Sequence, residues 1–168
     1  MLLRPCSHTD LAMKKRLLAW LNSPAGLRRI LNLYGPYLGA GVRVRHLAKD
    51  YREAQVEMKL RWYNRNYVGT HFGGSLFAMI DPFYMLMLMN SLGRDYIVWD
   101  ASADIDFIKP GRGTVKAHFV VTDAMLADIQ QHTANGEKYL PTYEVNIIDE
   151  HGELVAKARK TLYIRRKA

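Results

Sequence analysis

Residues 66–89 constrain the fold of this chain more than any other stretch. Asn66-Tyr67-Val68-Gly69-Thr70-His71-Phe72-Gly73-Gly74 leads into a strongly apolar run that carries one carboxylate, Asp81, followed at once by Pro82. An acid inside an apolar helix is expensive unless it is paired or used. The run from Gly73 to Met89 is apolar nearly all round, which predicts a central helix buried on most sides. Pro82 removes one helical hydrogen bond and pushes on the preceding turn, so a kink or break is expected there. Met79, Met85, Met87 and Met89 read as adaptable core filler, and Asn90 to Gly93 closes the segment.

The flanks divide into a helical lead-in and a set of strands. Residues 9–22 are expected to be helical, with Thr9 or Asp10 as cap and Leu11, Leu17, Leu18 and Leu21 as an apolar stripe. Ser23-Pro24 opens a second short helix that runs to Leu33 and is ended by Tyr34-Gly35-Pro36. Residues 1–40 are thus read as a helical N-terminal extension packed on a main domain, 41–168. From Gly41 the period changes to two. Val42, Val44 and His46 alternate with Arg43 and Arg45; Ala54, Val56, Met58, Leu60 and Trp62 then alternate with polar residues. After the central helix, Ile97, Trp99, Ala101, Ala103, Ile105 and Phe107 share one face, and Asp100, Ser102, Asp104 and Asp106 share a solvated one. Lys109 has the parity of Phe107 and is predicted to point inward at the strand end. Val115–Val121 is a further strand, Asp123 caps a short helix to about Ala134, and strands 143–148 and 154–164 are joined by a hairpin at 149–152. Strands grouped around one helix, with hairpin-length connections, imply an α+β domain with a mostly antiparallel sheet.

Composition removes several function classes. With 24 Lys+Arg against 16 Asp+Glu the net charge is +8, which suits phosphates, an anionic surface or nucleic acid. No zinc-finger spacing, aromatic-basic RNA signature or helix-turn-helix is present, so no nucleic-acid partner is expected. There is no HExxH, no paired cysteine and no histidine cluster, so neither a metal nor another cofactor is expected. Cys6, the single cysteine, cannot form an intrachain disulfide, which fits a reducing, cytoplasmic location. The apolar runs at 17–21 and 83–89 are too short for a signal sequence or a transmembrane span.

The chemistry concentrates on the opening stretch. Two glycines at a helix start let a ligand approach backbone N–H groups at the positive end of the helix dipole. Such groups can polarise a carbonyl and hold a developing oxyanion. Gly74 and Asp81 are seven residues apart. Seven steps of about 100° return to nearly the same face, and seven rises of about 1.5 Å separate the two by roughly 10 Å. An attacking water must lie about 3 Å from its carbonyl, so the two cannot serve one carbonyl within a chain. If they cooperate, the partner comes from a second copy. Two such helices, antiparallel across a two-fold axis, predict a symmetric homodimer with two composite sites.

The pattern Asn66-x-x-Gly69-x-x-x-Gly73-Gly74 followed by Asp81 resembles the hotdog-fold acyl-CoA thioesterases of the phenylacetate-degradation type. Asp104-Ile105-Asp106-Phe107-Ile108-Lys109-Pro110-Gly111-x-Gly113 resembles that family's strand-and-turn signature. The likeness covers about residues 41–165 and is nearest to a thioesterase-like branch with a helical N-terminal extension. It implies a long central helix wrapped by an antiparallel sheet, homodimers with sites between protomers, often paired into tetramers, and an acyl-CoA or acyl-carrier thioester as substrate. In that family's terms Asn66 would help hold the thioester or the water, and the backbone of Gly73 and Gly74 would polarise the carbonyl. The neighbour's Asp81 would act as general base, or as nucleophile through an anhydride. His71, Phe72 and Lys109 are the candidate substrate-binding residues, with His71 equally compatible with a structural role in the loop. Phe72 stands where many relatives have His, and Lys109 where some have Ser or Thr. An inward Lys109 near Asp81 would favour the carboxylate form. The alternative on the same scaffold is a non-catalytic acyl-binding or regulatory protein, favoured by Phe72. A dehydratase would need His71 as its site histidine.

Overall fold

The computed structural model describes residues 23–167; the helix expected over 9–22 lies outside them. Helix α1 (Pro24–Leu33) starts as its sequence dictates: the Ser23 hydroxyl accepts from the Gly26 N–H at 3.2 Å and proline occupies the first turn. The chain does not stop at Tyr34-Gly35-Pro36. Tyr34 is extended (φ −67°, ψ 127°), and proline then opens a six-residue helix α2 (Gly35–Ala40), a position where its missing N–H is no loss. Gly41, at φ 79°, ends α2 in the left-handed conformation.

Seven strands follow: β1 (Val42–Leu47), β2 (Glu53–Lys59), β3 (Tyr96–Phe107), β4 (Thr114–Val120), β5 (Lys138–Tyr139), β6 (Thr142–Asp149) and β7 (Leu154–Arg166). They form one antiparallel sheet in the order β1-β2-β4-β6-β7-β3, with the short β5 added to β7. The central segment breaks at Pro82 into α3 (Gly73–Ile80) and α4 (Phe83–Leu92), with Asp81 extended and a cis Asp81-Pro82 peptide between them. Helix α5 (Asp123–His132) is capped by the Thr122 side chain, one residue earlier than expected.

The apolar surface of α3 and α4 lies against the sheet's inner face. Met79, Ile80, Met87 and Leu88 are fully buried, each contributing about 1.5–3 kcal/mol relative to exposure. Phe83 stacks on Phe119 of β4 at 4.8 Å between centroids, and Tyr37 of α2 stacks on Phe83 at 6.2 Å. This is the helix wrapped by an antiparallel sheet that the resemblance implies.

Three departures from strict alternation matter. The β1–β2 register shifts between Val44 and His46, so His46 is exposed although it shares parity with the buried Val42 and Val44. β2 ends at Lys59, and the alternation read on to Trp62 fails: that ring is 84% exposed. In β3 the register against β7 shifts between Asp100 and Ser102. The extra residue, Ala101, turns Asp100 from the solvated face toward the interior.

Candidate active site

The loop before α3 is built by asparagines. Asn64 donates to the carbonyls of Ala40 and Lys59 at 3.0 and 3.1 Å and accepts from the Arg61 N–H at 2.6 Å. Asn66 accepts from the Thr70 N–H at 3.0 Å and donates to Thr70 Oγ1 and the His71 carbonyl at 2.9 and 3.2 Å. Both amide hydrogens of Asn66 are therefore used within the loop, leaving its Oδ1 with spare acceptor capacity.

Phe72 caps α3 without a side-chain acceptor, so the first N–H groups of the helix, those of Gly73 and Gly74, have no intrahelical partner. Each glycine lies under an aromatic ring. A Cβ at Gly73 would stand 2.9 Å from the Phe107 ring, and one at Gly74 2.4 Å from the Phe72 ring. Gly73 lines a cavity of about 380 Å³ together with Asn66, Thr70, His71, Phe107 and Lys109. Phe72 and Gly74 are outside its lining; Phe72 is exposed and covers Gly74.

His71 is clamped beneath the 111–113 turn. Its N–H donates to the Gly111 carbonyl at 3.0 Å, and Nε2 lies 3.2 Å from the Gly113 carbonyl. A carbonyl can only accept, so Nε2 carries the proton and Nδ1, buried with no partner among the described residues, is the acceptor. Burial holds this imidazole below its ordinary pKa. The unfolded chain therefore binds a proton that folded His71 refuses. The stability His71 contributes is complete above about 6.5 and is lost as pH falls through the lowered folded value. Denaturant unfolding at pH 5 and pH 7 is expected to show lower stability at pH 5, and His71→Gln is expected to flatten that slope.

The other end of α3 holds the carboxylate. Asp81 is half-exposed, and its Oδ1 accepts from Lys160 Nζ at 2.8 Å. Lys160 projects inward from β7 and is 2% exposed; its ammonium also lies 3.1 Å from Asp100 Oδ2. The Asp100 carboxyl is pushed above its ordinary range by burial, with Lys160 pulling it back and neighbouring Asp81 adding to the rise. The Tyr37 hydroxyl donates to the Asp81 carbonyl, and burial pushes that phenol up, so it stays a donor.

The structure thus brings Asn66, His71, Gly73 and Lys109 to one cavity and sets Asp81 apart, at the far end of α3. Within its own chain the Lys109 ammonium binds Asp149 Oδ2 at 2.6 Å and the Glu153 carboxylate in the β6–β7 hairpin. Those contacts raise the Lys109 pKa and hold Asp149 down to about 2. The cation beside Asp81 is Lys160, which the sequence reading passed over together with Asp100 and Tyr37. A signal for Lys160 existed: it interrupts the inward row Ala156, Ala158, Leu162 and Ile164 of β7. None existed for Asp100, because a bulge leaves no mark in an alternation pattern.

A larger cavity, about 680 Å³, opens where β4 and β6 part beyond Ala117. It is lined by Gln55, Glu57, Lys116 and His118 and holds none of the site residues; the smaller cavity at the helix start has the chemistry. Among the described residues no group of three His, Cys, Asp or Glu side chains could hold a metal ion.

The family described as "Domain of unknown function (DUF4442)" matches residues 25–164. The chain belongs to that family. Its fold is that of several solved structures. A protein of unknown function from Pseudomonas aeruginosa, described as a probable thioesterase, superposes with a TM-score of 0.72 at 18% identity, covering 85% of this chain and 96% of that one. A thioesterase from Haemophilus influenzae gives 0.62 at 14% identity, over 86% and 91%. A point mutant of the phenylacetic acid degradation protein PaaI from Thermus thermophilus gives 0.53 at 26% identity, over 76% and 96%. A search of characterised sequences finds no significant match. The DUF4442 protein described here therefore has the α+β hotdog fold.

Proposed function

We propose that this protein hydrolyses an acyl thioester, carried by coenzyme A or an acyl carrier, at a site shared between two protomers. The observation that carries the reading is the division of α3. Its start offers unpartnered backbone N–H groups, that of Gly73 at a cavity, and its end offers a half-exposed carboxylate held by a buried cation. In a two-fold dimer the Gly73/Gly74 end of one protomer faces Asp81 of the other. β3 supports such a dimer: it is twelve residues long, sits at the sheet edge and pairs on one side only, and an open edge of that length is a template for pairing.

Asp81 takes a proton from water as the water oxygen attacks the thioester carbon. The N–H groups of Gly73 and Gly74 hold the oxyanion. The C–S bond then breaks and the thiolate leaves, to be protonated as free thiol. Attack by Asp81 itself, through an anhydride, uses the same placement. Asn66 holds the loop in shape and offers Oδ1 to the water. Helices α1 and α2, ahead of the main domain, reach the site through Tyr37. The net charge of +8 suits the phosphates of coenzyme A. The single cysteine suits the cytoplasm, and pairing of dimers into tetramers follows the family resemblance. The only helical stretch apolar enough to span a membrane, among the described residues, is 73–92; it is interrupted at Asp81-Pro82 and packed into the sheet.

Incubation of the purified protein with a panel of acyl-CoAs, following free thiol, is expected to give turnover. Phe72, exposed over Gly74, favours a second reading as a non-catalytic acyl-CoA-binding or regulatory protein. Tight binding across the panel with no thiol released would replace the first reading by the second.

A further inference from the structure

We propose that Lys160 is a positioning residue for the Asp81 carboxylate, with Asp100 as its second anchor, so that one oxygen of Asp81 is fixed and the other is presented to solvent. This rests on the thioesterase reading of Asp81, but the contacts that carry it do not. Lys160 is 2% exposed on an inward position of β7, among apolar neighbours. An ammonium there is unfavourable unless it is paired, and a buried ion pair is often no more stable than apolar residues of the same volume. The chain nevertheless also turns Asp100 inward through the bulge at Ala101, so a second carboxylate reaches the same ammonium at 3.1 Å.

The geometry divides the labour. Asp81 follows the last turn of α3 in extended conformation, and no side chain caps α4 from Pro82. Two groups fix it: Tyr37 holds its backbone carbonyl and Lys160 holds Oδ1 at 2.8 Å. Among the described residues Lys160 is the one cation that reaches the Asp81 carboxylate. With two carboxylates around one ammonium, one negative charge is not used up in pairing. The Asp81 side chain is 51% exposed while those of Lys160 and Asp100 are 2% and 23% exposed, so that charge reaches solvent at Asp81. A carboxylate aimed in this way meets a water in the same place at every encounter. Freed of Lys160 it turns about its Cβ and loses the alignment that makes attack efficient.

Two measurements on the full chain test this. The first is turnover-independent: the ¹H–¹⁵N spectrum of lysine side-chain ammonium groups. One slowly exchanging resonance is expected, absent from Lys160→Met and shifted in both Asp81→Asn and Asp100→Asn. The second is kinetic, on the acyl-CoA turned over fastest. Lys160→Met is expected to lower kcat by about 10–100-fold with KM nearly unchanged, and Lys160→Arg to recover part of the loss. Asp100→Asn is expected to lower kcat by a smaller factor, and it carries the kinetic test if Lys160→Met does not fold. An ammonium resonance indifferent to Asp81→Asn would overturn the proposal. So would wild-type kcat in a folded Lys160→Met, or in Asp100→Asn. If the wild type releases no thiol from any acyl-CoA, the thioesterase reading falls, and the resonance still decides whether Lys160 holds Asp81.

Discussion

Lys160→Met is expected to lower stability by about 3 kcal/mol, the lower end of the range for removing one partner of a buried ion pair, because Asp81 keeps part of its hydration. For a domain of this size that is a fall in melting temperature of roughly 6–12 °C. Methionine fits the volume of the lysine stem, so the loss is electrostatic rather than a cavity. It leaves Asp81 and Asp100 as neighbouring carboxylates with no cation. The effect has a pH signature. Asp100 is pushed up by burial even with Lys160 beside it, and rises further without it. An acid whose folded pKa is raised destabilises in its ionised form, so the deficit of Lys160→Met is full at neutral pH. It shrinks as pH falls and Asp100 takes up its proton. Combining the change with Asp100→Leu is expected to return much of the loss, since an apolar pair replaces an unbalanced acid. Thermal unfolding of the three variants at pH 5 and pH 7.5 checks each step.

Asp81→Ala is expected to do the reverse: little to stability and much to activity. It leaves one ammonium with one carboxylate, a balanced pair, and removes a side chain that is half-exposed. The melting temperature is expected to move by a few degrees at most. The loss of a general base or carboxylate nucleophile is expected to lower kcat by about 10²–10⁴-fold. KM should stay near its wild-type value, because the group acts in the transition state rather than in binding. Asp81→Asn keeps the shape and one hydrogen bond to Lys160 but cannot take the proton, and is expected to be equally inactive. Initial rates of thiol release across substrate concentration separate these outcomes. Activity unaffected by Asp81→Ala would rule out the mechanism proposed for this site.

What the sequence made legible depended on whether one residue's neighbours repeat. The apolar run of α3 and α4 and the break at Pro82 follow from local chemistry alone, as do the hairpin before β7 and the cap at Ser23. Wherever a strand inserts an extra residue, alternation misassigns what lies beyond it: it groups His46 with the inward residues although His46 is exposed, and puts Asp100 outward although Asp100 is half-buried. Parity points Lys109 to the interior, and its ammonium pairs with the Asp149 and Glu153 carboxylates of a hairpin forty residues on. Sequence spacing has no access to such a partner. The helix start and Asp81 are recognisable because glycine pairs and acids inside apolar runs are rare; Lys160 is visible in principle as one charge in an apolar row. Its two partners come from α3 and β3, sixty and more residues earlier, and only the fold assembles them.

The most direct test of the shared site is complementation between two inactive variants. Co-expression of Asp81→Ala with Asn66→Ala, each carrying a different affinity tag, gives mixed dimers that can be purified through both tags. If the helix start of one protomer works with Asp81 of the other, each mixed dimer contains one intact site and one doubly damaged site, and is expected to recover about half of the wild-type activity per dimer. If each site lies within a single chain, every site in the mixed dimer carries one lesion. The mixed species would then be as inactive as its parents, and a site shared between protomers would be contradicted.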